Sequence, residues 1–552
     1  MRLLSIVAFL FLSLSSVSAQ QHTSTQLDSM YNEFIRVKGY QTSERSLIAD
    51  SGYVKCGFGI INSVIVNINL FTPEQQKVIS RMLDRPVTDT SVVAPSEFFK
   101  IHYDVSGPQM LKYDINELMK AADSSLYFET NYLGYPLPPK DNDGYYHIYV
   151  TNLGGGGSGL YGYTQFENEI SPGSGTFHSY MMIDNDYAGY YSSGINGARV
   201  TVAHELHHAI QVGNYLFREE DLYYFEMSST AMEEFVFDSV NDYYAYMKDY
   251  FRNTNRAFAK NTGYDIAIWN IFLAKRFGFD ILKRQWQLIG KPNEMRALNS
   301  IANSLLEYNS TFGEEFKDFG TTCFFTNYRA DVITPENIFI FEEAAHYPAV
   351  KPVITLSLPT KDNVNMNSSP TANNYLRFVQ NIDTLFTLVS NSDYKSGIDS
   401  VNSFFPFQYH VYEGERAGAY KLTSKYCASF SAPKPTFWSA SEIFNNTLVS
   451  EGNILAENVG YAFPSPFYYS RNSFIFIPVI PGQLSEIDLN IYTPSMDLVY
   501  STRQNYSTLY GRFVVKWNGK NDKGDKLPSG VYLYVTKTGD DINKGKLVIF
   551  NE

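Results

Sequence analysis

Residues 199–215 read Arg-Val-Thr-Val-Ala-His-Glu-Leu-His-His-Ala-Ile-Gln-Val-Gly-Asn-Tyr. His204 and His208 stand four positions apart. On an α-helix that spacing leaves them about 40° apart around the axis and one turn apart along it, so two imidazoles can reach one cation. Glu205 is rotated by about 100° from His204. It can act on a water beside the cation without ligating the cation. Val202, Ala203, Leu206, Ala209 and Ile210 surround these groups with apolar residues. The helix is expected to be buried, and buried polar groups need a purpose or a partner. His207 faces elsewhere on the helix and reads as a packing residue or a support for a ligand. The chemistry implied is that of a zinc ion with Glu205 as general base.

A catalytic zinc takes three protein ligands and keeps one open position. The third is expected from Tyr-Phe-Glu-Met-Ser-Ser-Thr-Ala-Met-Glu-Glu-Phe, residues 224–235. Glu226 is the preferred ligand. Ser229 and Thr230, one turn later, let a second helix approach the first closely. Glu233 lies on the same face as Glu226 but about 10 Å further along, so a straight helix cannot bring both to one ion. Glu233 is expected to orient a histidine, or to replace Glu226 as ligand. A solvated face is the plainer reading of Glu233 and Glu234. An oxyanion stabiliser is sought among His178, Tyr223, Tyr224 and Tyr243. The run Tyr180–Asp184, just before the helix, is expected to be an edge strand against which an extended peptide could pair. Cys56 could cap the zinc in a latent proenzyme; an ordinary buried cysteine or a disulfide partner is the plainer reading.

These groups need a scaffold. The chain has 552 residues, which at about 100–200 per domain means roughly three or four domains. With 44% hydrophobic residues it can build several cores. Acidic residues outnumber basic ones 57 to 44, for a net charge of −13, which argues against a nucleic-acid partner. The 3 cysteines exclude a disulfide scaffold. Arg2, the apolar run Leu3–Leu14 and the small residues ending at Ala19 read as a secretory signal peptide over 1–19. No later stretch is expected to span a membrane. The mature protein is expected to be secreted or attached to the cell surface.

The expected class is multidomain α+β: a zincin-like catalytic domain followed by β-sandwich domains. Residues 20–95 form an N-terminal block in the position of a pro-region, with a strand through Ile61, Val64, Val66 and Ile68, a helix near Pro73–Leu83, and a linker from Arg85 to Ser96. The catalytic domain spans 96–345. Residues 346–455 read as a β-rich domain and 456–552 as an immunoglobulin-like sandwich of short strands joined by Asn, Asp and Gly turns. Gly154–Gly157 read as a flexible loop near the cleft. Asp141-Asn142-Asp143-Gly144 reads as a turn, with a calcium site outside the EF-hand pattern as the second reading.

His-Glu-Leu-His-His-Ala-Ile-Gln, then Phe-Glu-Met-Ser-Ser-Thr-Ala-Met-Glu-Glu and Asn241-Asp242-Tyr243, resembles the gluzincin-type secreted metalloproteases of bacteria with His-Glu-x-x-His-Ala-x-Gln and Glu-x-x-Ala-x-Trp-x-Glu-Glu. Phe98–Tyr103 resembles the opening strand of that domain, and the likeness covers about 95–345. Ser229 and Ala231 stand where that family has Ala and Trp. The resemblance implies hydrolysis of a protein or peptide substrate. The last hundred residues, with Phe463-Pro-Ser-Pro-Phe467 and Lys544-Gly-Lys-Leu-Val-Ile549, resemble FlgD-type immunoglobulin-like modules. They are also similar to the type A sorting domains of type IX secretion, which implies recognition by the secretion machinery. Two rivals remain: a cell-surface binding protein on a non-catalytic zincin scaffold, and a zinc hydrolase of a non-peptide substrate.

Overall fold

The computed structural model describes residues 22–39, 55–154, 160–330, 340–357, 371–389, 407–414, 420–428, 434–449 and most of 462–551. The expected signal segment and most of the glycine run at 154–157 lie outside the described residues. The chain is mixed α+β, with helices and several sheets.

Helix α1 (Ser24–Lys38) starts at a capping box in which Thr23 accepts from the Gln26 backbone and Gln26 reaches back. Helix α2 spans Phe58–Val66. The expected strand through 61–68 is therefore a helix at 58–66, because Phe58, Ile61 and Val64 recur every third residue and are all fully buried. Packing of that stripe outweighs the β preference of its branched residues. Helix α3 (Pro73–Met82) has a second capping box, Thr72 with Gln75, and proline at its first position.

The stretch expected as a linker holds strand β1 (Thr90–Val93), antiparallel to β2 (Phe99–Tyr103). Helix α4 (Ile115–Leu126) follows, then β3 (Tyr146–Thr151), β4 (Gly162–Glu169) and β5 (Phe177–Asp184). The order across the sheet is β1-β2-β3-β5-β4, with β2, β3 and β5 parallel and β4 antiparallel to β5. Tyr180–Asp184 is thus interior, and the edge beside it is β4. Tyr180-Met-Met-Ile183 is an unbroken apolar run, the pattern of a strand covered on both faces, and β5 is buried without alternation from Ser179 to Asp184.

Helix α5 (Gly194–Asn214) lies across β4 and β5, and α6 (Leu222–Val236) packs on α5. Helices α7 (Tyr244–Arg252), α8 (Ile268–Phe277), α9 (Asp280–Ile289), α10 (Ala297–Glu307) and α11 (Phe312–Phe324) complete this part. Phe34, Phe58, Ile61 and Ile79 belong to the same buried cluster as the sheet, α5 and α6.

Further on, β6 to β10 (Ile354–Ser357, Ala372–Val389, Phe407–Gly414, Tyr420–Ala428, Lys434–Val449) form a sheet in the order β6-β7-β10-β8-β9. Near the C-terminus, a five-stranded sheet and a three-stranded sheet share one core that includes Ile477, Leu489, Trp517, Tyr534 and Ile549. Among the described residues no helix is long and apolar enough to cross a membrane.

Candidate metal centre

Helix α5 is buried along most of its length, and His204, Glu205 and His208 are each 1% exposed or less. The expected crossing of a second helix is present: Ser229 and Thr230 of α6 are both fully buried. The crossing brings the Glu226 carboxylate between the two imidazoles. Its Oε2 stands 3.2 Å from His204 Nε2 and 3.3 Å from His208 Nε2.

The outer nitrogens are held as well. His204 Nδ1 is 2.8 Å from Glu233 Oε1. His208 Nδ1 is 2.7 Å from Gln211 Oε1, with Ser229 Oγ at 3.1 Å. Gln211 in turn donates to the Phe225 carbonyl on α6. Each ring is fixed with Nε2 inward, the arrangement a metal-binding histidine requires. Phe58 adds a flat contact: its ring lies 3.8 Å from that of His208 and within 2° of parallel.

A fourth donor comes from far upstream. Cys56 Sγ joins His204, His208 and Glu226 in a buried group whose ligand atoms all lie within 4.8 Å of one another. Two imidazoles, a carboxylate and a thiol at that spacing suit a tetrahedral metal such as zinc. A buried Cys/His/His/Glu cluster able to hold a metal ion is therefore present.

Glu205 is outside this group and next to it. Thr164 of β4 donates to both its carboxylate and its carbonyl, each at 2.9 Å. Its carboxyl also hydrogen-bonds to the Cys56 thiol.

Burial raises the Glu205 carboxyl above the usual range, partly offset by His204 and His208. Burial also acts to raise Glu226, but the two imidazoles, His208 first, outweigh it and hold that carboxyl at about 2. For His204 burial pulls down, while Glu226 and Glu233 prevail and lift it to about 9. A dense set of opposed charges of this kind marks a functional site more often than a packing core.

Two glycines make the geometry accessible. A Cβ on Gly162 would stand 2.7 Å from the Met182 carbonyl and 2.8 Å from Thr201 Cγ2, so α5 lies this close to β4 only over a glycine. Gly263 has φ +99°, and a Cβ there would stand 2.3 Å from the Tyr223 carbonyl and 2.7 Å from Glu226 Cβ. It delivers Tyr264, whose hydroxyl bonds Glu226 and accepts from the Cys56 backbone at 3.3 Å.

Tyr264 was absent from the expected oxyanion candidates. Of those, Tyr224 donates to Gln285, Tyr243 to Glu343, and Tyr223 packs edge-on against Phe258. His178 lies at the start of β5. His207 pairs with buried Glu129 at 2.9 Å, away from the cluster.

Glu233 and Glu234 are buried rather than on a solvated face. Lys55 is buried too. Its ammonium contacts Glu233 at 2.5 Å and Asp242 at 2.6 Å and lies over the rings of Tyr161 and Tyr246. Sequence spacing gave no hint of Lys55 or Tyr264, which come from separate parts of the chain, and Asp242 entered only through the resemblance carried by Asn241-Asp242-Tyr243. Cys56 and Cys323 are free thiols, so neither serves as the disulfide partner considered above. Asp141–Gly144 form a turn closed by the Gly144 amide on the Asp141 carbonyl at 2.9 Å. Its carboxylates pair with Arg85, His147 and Lys100.

No family model matches the chain, and no curated protein does. Among solved structures, similarity is found to PorZ, a bacterial surface component of the type-IX secretion system of Porphyromonas gingivalis. That match has 14% identity over 20% of this chain and 14% of that one, with a TM-score of 0.14. Latent dimeric PorU from Porphyromonas gingivalis matches at 14% identity over 32% of this chain and 19% of that one, TM-score 0.13. A β-glucuronidase from Ruminococcus gnavus matches at 8% identity over 30% of this chain and 36% of that one, TM-score 0.10. The chain thus spans well under two thirds of each neighbour, and overlaps this partial assign neither a fold nor an activity.

Proposed function

We propose that this chain is a zinc-dependent endopeptidase whose ion is held by His204, His208 and Glu226. The observation that carries the reading is the convergence of both Nε2 atoms on one Glu226 oxygen while both Nδ1 atoms are engaged elsewhere. A bound zinc would supply a Lewis acid for the scissile carbonyl and lower the pKa of a water. Glu205 is the base that takes the proton of the attacking water and returns it to the departing amine. Burial favours its proton-accepting role by raising its carboxyl. Tyr264 is the hydroxyl placed to stabilise negative charge on the carbonyl oxygen. In this reading the protein acts outside the cell on protein or peptide substrates, with its last hundred residues recognised by the secretion machinery.

One observation favours a second reading. Four protein donors make a closed site, the form typical of structural zinc. A binding protein with a permanently closed centre is the alternative. Metal analysis of the full chain, with casein hydrolysis by Cys56→Ser and by Cys56→Ser/Glu205→Gln, separates the two. The enzyme reading expects about one zinc per chain by the three-ligand rule, hydrolysis by the first variant and none by the second. A zinc-free folded chain, or zinc-loaded Cys56→Ser without hydrolysis, overturns it.

A further inference from the structure

The outer edge of β4 is already occupied. The Gly57 amide donates to the Gly162 carbonyl at 3.0 Å, and the Tyr161 amide donates to the Lys55 carbonyl at 2.8 Å. These two bonds set Cys56 as a parallel bridge on Gly162. One turn further, the Asn62 side chain stands in for a strand: its amide donates to the Thr164 carbonyl at 2.8 Å and its oxygen accepts from the Phe166 amide at 2.9 Å. Residues 55–62 thus take up four backbone groups of this edge between Tyr161 and Phe166. An extended peptide bound by strand addition would need those same backbone groups.

The seating is specific on both sides of the sulfur. Lys55 fills a buried pocket between Glu233 and Asp242, and the two carboxylates outweigh burial and raise its ammonium well above the usual lysine range. Phe58 lies flat on His208, and its amide donates to Cys56 Sγ at 3.3 Å. The sulfur itself is within reach of all three proposed ligands and of Glu205. A catalytic water has to occupy that same position.

We propose that Lys55–Phe58 is a built-in plug: Cys56 supplies the fourth donor to the metal, and the enzyme is latent until this segment leaves the cleft. The proposal rests on the zinc reading above and adds its regulation. The thiol proton goes to solvent on ligation, as metal binding to cysteine requires. No water can then be activated. Departure of the segment vacates the fourth position, the β4 edge and the pocket of Glu233 and Asp242 together.

Cobalt(II) in place of zinc reads the coordination directly. The metal-free full chain and its Cys56→Ser and Cys56→Ala variants are titrated with cobalt, and casein hydrolysis is measured on the zinc forms. The wild type is expected to show thiolate-to-cobalt charge-transfer absorption that both variants lack while still binding one cobalt. Hydrolysis is expected to rise by about a hundredfold in the variants, because loss of the sulfur-to-metal bond removes one of the segment's attachments and lets residues 55–58 leave the β4 edge more often, the order gained when a tethered ligand at high effective concentration is removed. Serine keeps the size and polarity of the site, so it serves if alanine fails to fold. Identical cobalt spectra, or a wild type as active as Cys56→Ser, overturn the plug and leave the zinc reading standing. A charge-transfer band with no hydrolysis by any variant overturns latency together with the peptidase reading and leaves a closed metal site. Absence of metal binding in every variant overturns both.

Discussion

Separate alanine substitutions at Glu226 and Glu233 test the division of labour between two carboxylates on one helix. Glu226 faces both inner nitrogens, at 3.2 and 3.3 Å; Glu233 touches only the outer nitrogen of His204, at 2.8 Å. A buried zinc site of this kind is worth about 10–16 kcal/mol, or roughly 2.5–4 kcal/mol for each of four donors. Loss of a charged donor falls at the upper end, so Glu226→Ala should weaken zinc binding by nearly a thousandfold, about 4 kcal/mol. Glu233→Ala removes a support and should cost about 10–100-fold. Lys55 keeps Asp242 as a partner in that variant, which limits the damage. Gln211→Ala is the internal control: Ser229 still faces His208 Nδ1 at 3.1 Å, so the loss should stay below about tenfold. Competition against a chromophoric chelator measures all three, with circular dichroism to confirm folding. Abolished binding in Glu233→Ala beside near-normal binding in Glu226→Ala would refute the assignment and exchange the two roles.

Lys55→Met strands Glu233 and Asp242 without their cation and should cost about 3–5 kcal/mol in denaturant unfolding of the metal-free chain; an unchanged midpoint would show that the pair carries no weight. Gly263→Ala forces a side chain into a φ of +99° against the Tyr223 carbonyl and should lose at least about 1–3 kcal/mol from backbone strain alone, read as a lower melting temperature. The Glu234 carboxyl is raised to about 9 by burial and then by Glu343, Asp238 and Glu342, against 4.5 for a free glutamate. The folded chain keeps a proton there that the unfolded chain releases, so this residue makes stability fall as pH rises from about 4.5 to about 9. Glu234→Gln should flatten that part of the melting-temperature profile, and an unaltered slope would count against the shift.

The half of the site that follows a period was legible in the sequence. His204, Glu205 and His208 obey the geometry of a single helix, and Glu226 and Glu233 obey that of a second one crossing it. Small residues at 229 and 230 signalled the crossing. The other half has no period. Cys56 meets Gly162 and Tyr264 across more than a hundred residues, and Lys55 meets Asp242 across 187 positions. Residues 58–66 misled for a related reason: a run of branched side chains reads as strand until the surface that buries Phe58, Ile61 and Val64 is known. The sheet edge was assigned to β5 rather than β4, although the unbroken apolar run Tyr180–Ile183 already carried the pattern of an interior strand.

The burial of residues 34–79 in the same core as the sheet also fixes an order of events during folding. Phe34, Phe58, Ile61, Val64 and Ile79 contact surfaces that are synthesised later, and each contributes about 1.5–3 kcal/mol only once those surfaces exist. Such long-range closures are slow and come late. The candidate metal-binding groups are equally incomplete until α6 has docked on α5. Tyr264, which touches both Glu226 and the Cys56 backbone, arrives later still. On the plug proposal, assembly of the cluster and insertion of Cys56 are parts of one cooperative closure, so a newly folded molecule would have no interval in which its candidate metal-binding groups are complete and Cys56 is outside them.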